Sequence, residues 1–165
     1  MNGAHAILAV ATALAVTACS NAGARETRPE RAADRPGAAG IYQLQADIHA
    51  SATSKDLDLL MSRWDDGASL VVAGRTYVGK GEIRRFFATS HPAFRPDNRW
   101  VALTRSSAIE VTTEHDHGAL YFECYFVDVD TRQVLSATSA TTKVVRRSGR
   151  WLLTEYRSGT VELAP

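Results

Sequence analysis

The feature that most constrains this chain is a run of four β-patterned segments at its carboxyl end. They cover roughly residues 100–114, 119–129, 134–147 and 150–158, and their boundaries carry turn chemistry. "HDHG" at 115–118 predicts a three-residue turn, Asp116-His117-Gly118, with Gly118 in the left-handed region; "VDTRQ" at 129–133 predicts a second turn, and Ser148-Gly149 a tight third. Connections this short join antiparallel neighbours, because parallel strands need a long crossover. The carboxyl half therefore reads as an antiparallel meander.

The segment before it has helical periodicity. Ile41, Leu44 and Ile48 repeat at helical spacing, as do Leu57, Leu60, Met61 and Trp64. Thr53 or Ser54 is positioned to cap the second helix, with Asp56 and Asp58 in its first turn complementing the dipole. "ASLVVAG" and "RTYVG" read as strands meeting at Gly74, and Ile83, Phe86 and Phe87 give a third helix a buried face. "SHPAFRPDN" is a Pro-bounded loop. Helices followed by a meander predict an α+β fold with helices on one face of a curved sheet. At 165 residues the chain has room for one domain, and its net charge of +1 offers no clustered basic excess for nucleic acid.

The amino-terminal stretch reads differently. "AILAVATALAVTAC", ending at Cys19, is short for a membrane span and has small residues before its end, which fits an export signal over 1–18. Val16-Thr17-Ala18-Cys19 resembles the lipobox of bacterial lipoproteins, which implies cleavage before Cys19 and its lipidation. The leader "MNGAH" departs from export signals in lacking Lys and Arg. Residues 19–39 mix four arginines and three acids with Ala and Pro and hold almost no large apolar side chains, so they predict a flexible linker between anchor and domain. The expected location is the cell envelope, on the extracytoplasmic side of a membrane.

Within 40–160, "LLMSRWDDGASLVVAGRTYVGKGEIRRFF" resembles the amino-terminal half of SnoaL-like domains of the nuclear transport factor two-like superfamily. Trp64-Asp65-Asp66, Gly74, Gly79, Ile83 and Phe87 carry the likeness, and "RRSGRWLLTEYRSG" is similar to the closing hairpin. The resemblance implies a cone-shaped fold, helices packed on a curved antiparallel sheet around a pocket, and dimers formed through the sheet's other face. Members include isomerases, dehydratases, cyclases and domains that only bind, so the fold alone leaves the reaction open.

Strand registers predict which side chains share the pocket face. Pairing outward from Ser148-Gly149 sets Trp151 opposite Arg146, Glu155 opposite Thr142 and Arg157 opposite Ala140; the loop at 130–133 sets Glu123 opposite Ala140. The three-residue turn at 116–118 adds Ile109 and Val111 to that face. Tyr121, Glu123, Tyr125, Trp151, Glu155 and Arg157 then face one side, with Trp64 and Tyr77 completing a ligand site. Leu120, Phe122, Cys124, Phe126, Leu135, Ala137, Val145, Leu152 and Tyr156 face the other, an apolar surface suited to a homodimer. Cys124 reads as a small buried hydrophobe.

These readings predict an anchored domain binding a small, partly apolar ligand. An acid/base enzyme using Glu123, or Asp65 with Asp66, and a pure interaction module stay open; no catalytic residue is assigned. No cofactor is implied, since "GRTYVGKGE" lacks the Gly-Lys-Ser/Thr ending of a phosphate loop. His115 and His117 flank a turn without a third ligand, so no metal is expected either.

Overall fold

The computed structural model describes residues 37–104 and 108–162. Three helices, α1 (Ala38–Ser54), α2 (Leu57–Ser62) and α3 (Gly79–Thr89), pack on a sheet of seven strands. The strands are β1 (Trp64–Val72), β2 (Arg75–Val78), β3 (Trp100–Leu103), β4 (Ile109–Glu114), β5 (His117–Asp128), β6 (Val134–Arg147) and β7 (Arg150–Thr160). The sheet order is β2-β1-β7-β6-β5-β3, with β4 also on β5. One pairing, β1 with β7, is parallel, so the sheet is mixed rather than wholly antiparallel as expected. The predicted long strand over 100–114 is two: β3 pairs with 125–128 of β5, and β4 with 117–122.

Local chemistry sets the helices. Ile41, Leu44, Ile48 and Ala52 recur on one side of α1 and are buried against the sheet. The helix stops at Lys55, which takes the left-handed conformation at φ 63°. Its ammonium offsets the strain by donating to the carbonyls of Ala52 at 3.2 Å and Trp100 at 2.9 Å, tying α1 to the start of β3. The cap of α2 is Asp56, whose carboxylate accepts from the Leu59 N–H at 2.8 Å, and not Thr53 or Ser54. Trp64 opens β1 instead of closing α2, and it is fully buried.

Two turns differ from expectation and one matches. Ser148 and Gly149, at φ 49° and 78°, form the tight turn, with Arg146 opposite Trp151 as predicted. The β4–β5 turn, however, has two residues, His115 and Asp116, and its left-handed residue is His115 at φ 54°. Gly118 lies within β5, where a Cβ would sit 2.6 Å from the Thr112 carbonyl and 2.8 Å from Ile41 Cδ1. That glycine is needed for close approach, not for a turn. At the β5–β6 connection the left-handed residue is Arg132 at φ 59°.

Two bulges decide which side chains face the helices. Val127 pairs with Val134 but Phe126 with Ser136, so Leu135 is extra. Leu153 pairs with Val144 but Glu155 with Lys143, so Thr154 is extra. Each extra residue reverses the alternation of one strand relative to its neighbour. As a result Leu120, Phe122, Cys124 and Phe126 lie on the inner face and are buried. Glu123 stands opposite Ser139, Tyr121 opposite Thr141, and Arg157 opposite Thr141 on the far side, all on the outer face.

Candidate functional site

Between the helices and the concave face of the sheet lies a cavity of about 340 Å³. Its lining is largely aromatic and aliphatic: Trp64, Phe87, Phe122, Phe126, Leu153 and Tyr156 are representative. Trp64 and Tyr156 are ring neighbours at 5.8 Å, and Phe122 meets Tyr156 edge-on at 6.3 Å. The Thr154 bulge is what turns Tyr156 inward. Polar atoms come from His49 on α1, His91 before the 3-10 turn Pro92–Phe94, the Cys124 thiol, and hydroxyls such as Thr138 and Ser158. Among the described residues, no Asp, Glu, Lys or Arg lines the cavity.

Both histidines are kept neutral. Burial lowers the His49 pKa from 6.5 to about 4. Burial, aided by the charge on Lys55, lowers His91 to about 4 as well. His49 stands edge-on to Phe122 at 5.5 Å, and its Nε2 lies 3.1 Å from Thr104 Oγ1. Thr104 in turn donates to the Glu123 carbonyl at 2.5 Å. His91 Nδ1 accepts from the Ala93 N–H at 3.3 Å, and its ring packs among Phe87, Phe94 and Phe126. Burial also pushes the Cys124 thiol up to about 12, as for a small hydrophobe. The Trp64 indole N–H is buried with no hydrogen-bond partner among the described residues.

Of the residues read from the sequence as a ligand site, the structure brings only Trp64 to this cavity. Tyr121, Glu123 and Tyr125 are on the outer face, where Glu123 accepts from both phenols, at 3.1 Å from Tyr121 and 2.5 Å from Tyr125. Glu155 is also outside, bonded to Lys143 at 2.9 Å and to Arg157 at 2.5 Å, and these contacts hold its carboxyl below the usual range. Glu123 and Arg157 therefore do not meet over Ala140. Trp151 is buried but packs on Gly40 of α1, away from the cavity. Tyr77 packs against Phe86, ring centroids 4.8 Å apart and tilted by 39°, and does not line the cavity. Ile109 and Val111 pair with Phe122 and Leu120.

The expected dimer face is corrected by the same bulges. Leu120, Phe122, Cys124 and Phe126 are covered by the chain's own helices, so they offer no surface to a second copy. Asp65 and Asp66 serve ion pairs, with Arg147 at 2.6 Å and Lys80 at 2.9 Å. His115 and His117 are exposed at their turn. Cys19 lies outside the described residues.

No family model matches the sequence, and no curated protein matches it. The fold, however, matches many solved structures. A protein of unknown function with a cystatin-like fold from Nostoc punctiforme PCC 73102 superposes with a TM-score of 0.64 at 14% identity, over 77% of this chain and 92% of that one. An NTF-2 like protein of unknown function from Shewanella oneidensis MR-1 gives 0.61 at 16%, over 73% and 96%. A hexachlorocyclohexane dehydrochlorinase of type 2 gives 0.59 at 18%, over 77% and 92%. Helices α1 to α3 seated in a curved seven-stranded sheet, together with these superpositions, identify the chain as having the nuclear transport factor two-like cone fold.

Proposed function

We propose that this SnoaL-like domain binds a neutral, largely apolar small molecule between its helices and the inner face of β5–β7. The observation that carries the reading is the cavity of about 340 Å³ whose lining is largely aromatic and aliphatic and, among the described residues, includes no ionised side chain. Such a site favours uncharged ring compounds, since burying a charge there without a partner costs several kcal/mol, on the order of the whole stability of a domain. The test is mass spectrometry of organic extracts from the purified protein, compared with Thr138→Trp, which fills the cavity. A compound enriched in wild type and lost in the variant is expected. Wild type that yields no compound, and whose melting temperature no neutral ring compound raises, overturns the reading.

A second reading, proton transfer on the bound molecule, is supported by the two neutral imidazoles at the cavity. It moves the candidate base from Glu123, on the outer face, to His49. Turnover that survives His49→Gln unchanged excludes His49 as the base. Lipid attachment at Cys19, and with it an envelope location, remains a proposal supported by the apolar run and Val16–Cys19. Labelled palmitate should enter wild type and not Cys19→Ala; unlabelled wild type sinks the idea.

A further inference from the structure

The hydrogen bonds around His49 narrow the ligand further, resting on the reading of the cavity as a binding site. A carbonyl oxygen can only accept, so the proton of the Thr104 hydroxyl is committed to the Glu123 carbonyl. With that proton spent, Thr104 Oγ1 can only accept from His49 Nε2, 3.1 Å away. Nε2 therefore carries the one proton of the neutral ring, and Nδ1 keeps a bare lone pair. Nδ1 has no partner among the described residues, and it is not among the polar atoms sealed from contact, while its ring lines the cavity. The other cavity groups of fixed polarity are opposite in sense. The Trp64 indole can only donate, and its N–H is sealed from contact. His91, whose Nδ1 accepts from the Ala93 N–H, carries its proton on Nε2. The lining hydroxyls of Thr138 and Ser158 can play either role and do not discriminate.

We propose that the ligand is a neutral hydroxylated ring compound whose O–H donates to His49 Nδ1, and that Thr104 is the positioning residue that sets this polarity. A ketone, ether or carboxylate at the same place would set an oxygen lone pair against the nitrogen lone pair, and a bare hydrocarbon would leave Nδ1 unpaired. Two fused rings fit well within about 340 Å³.

The test uses the full chain. Nitrogen-15 NMR at pH 7 should show His49 Nδ1 as pyridine-type and Nε2 as protonated. Thr104→Val should turn this into a tautomer mixture, and Thr104→Ser should restore it. Calorimetric titration then compares 2-naphthol with 2-methoxynaphthalene and naphthalene. We expect 2-naphthol to bind about tenfold tighter than either, one hydrogen bond's worth of affinity. That preference should fall to near unity in Thr104→Val, while naphthalene binding is unchanged there. Equal binding of all three probes overturns the hydroxyl assignment and leaves the binding site standing. Binding of none removes the site and this inference together, and a protonated Nδ1 overturns the inference by itself.

Discussion

The two half-buried histidines make the stability of this domain depend on mild acid, and the size of the effect follows from their environment. Each has a folded-state pKa of about 4 against 6.5 when unfolded. A depressed folded pKa means that the unfolded chain binds more protons between those values. The stabilisation is thus full above pH 6.5 and is lost as pH falls toward about 4. At pH 5 each ring costs about 2 kcal/mol, so the pair removes about 4 kcal/mol relative to pH 7. That is a large part of the 5–15 kcal/mol or so that holds a typical domain. The acids contribute little to this window. Asp128, held low chiefly by the Thr131 N–H, and Glu155, held low chiefly by Lys143, lose their stabilisation only as pH falls into the carboxylate range and below. Urea unfolding followed by tryptophan fluorescence at pH 7 and pH 5 measures the difference. His49→Gln and His91→Gln should each remove about half of it, whatever their own stability at pH 7. A double variant with the full wild-type loss, or a wild type equally stable at both pH values, would refute the reasoning.

Three further outcomes are expected. Gly118→Ala should cost about 2–3 kcal/mol in chemical denaturation, because its methyl meets the Thr112 carbonyl at 2.6 Å, and backbone cannot yield. Gly74→Ala, at φ 76° with open space around it, should cost only about 1 kcal/mol, so the reverse order would contradict the packing described. Cys124, 6% exposed and with its thiol pushed up to about 12, should react with Ellman's reagent far more slowly in native protein than in urea, and more slowly still with a ligand bound. Equal rates in native and unfolded protein would contradict its burial. Glu123→Gln should leave ligand affinity within about twofold by calorimetry, since its carboxylate lies across the sheet from the cavity and one lost outer hydrogen bond does not reach it.

The elements were legible in the sequence and the faces were not. Ile41-Leu44-Ile48, the strands around Gly74, and the Ser148-Gly149 turn all stand where periodicity and turn chemistry put them. Alternation in "ALYFECYF" was equally plain, but both of its faces are rich in aromatics, so the pattern does not say which is inside. The answer lies in the bulges at Leu135 and Thr154, and neither residue carries the glycine that sometimes marks one. His49 had a readable signal: Gln45, Ile48, His49 and Ala52 form an i, i+3, i+4, i+7 stripe on α1. His91 had almost none. Its side chain caps the 3-10 turn that follows it, a role the flanking proline hints at but does not specify.

The extra residue at Leu135 has an evolutionary consequence. Strand parity is binary, and the bulge absorbs a change in it: without Leu135, Ser136 would follow Val134 and the pairings from Phe126–Ser136 onward would stand as they are. Strand β5 encodes two linings: Phe122, Cys124 and Phe126, now inside, and Tyr121, Glu123 and Tyr125, now outside. Losing Leu135 would therefore keep the greasy set inside and the acidic set outside. Glu123 would stay outside with its two phenols, and the penalty of bringing a carboxylate indoors would not arise. On a scaffold of this kind, a bulge lets a strand gain or lose a residue beside a turn without changing what its chamber is lined with.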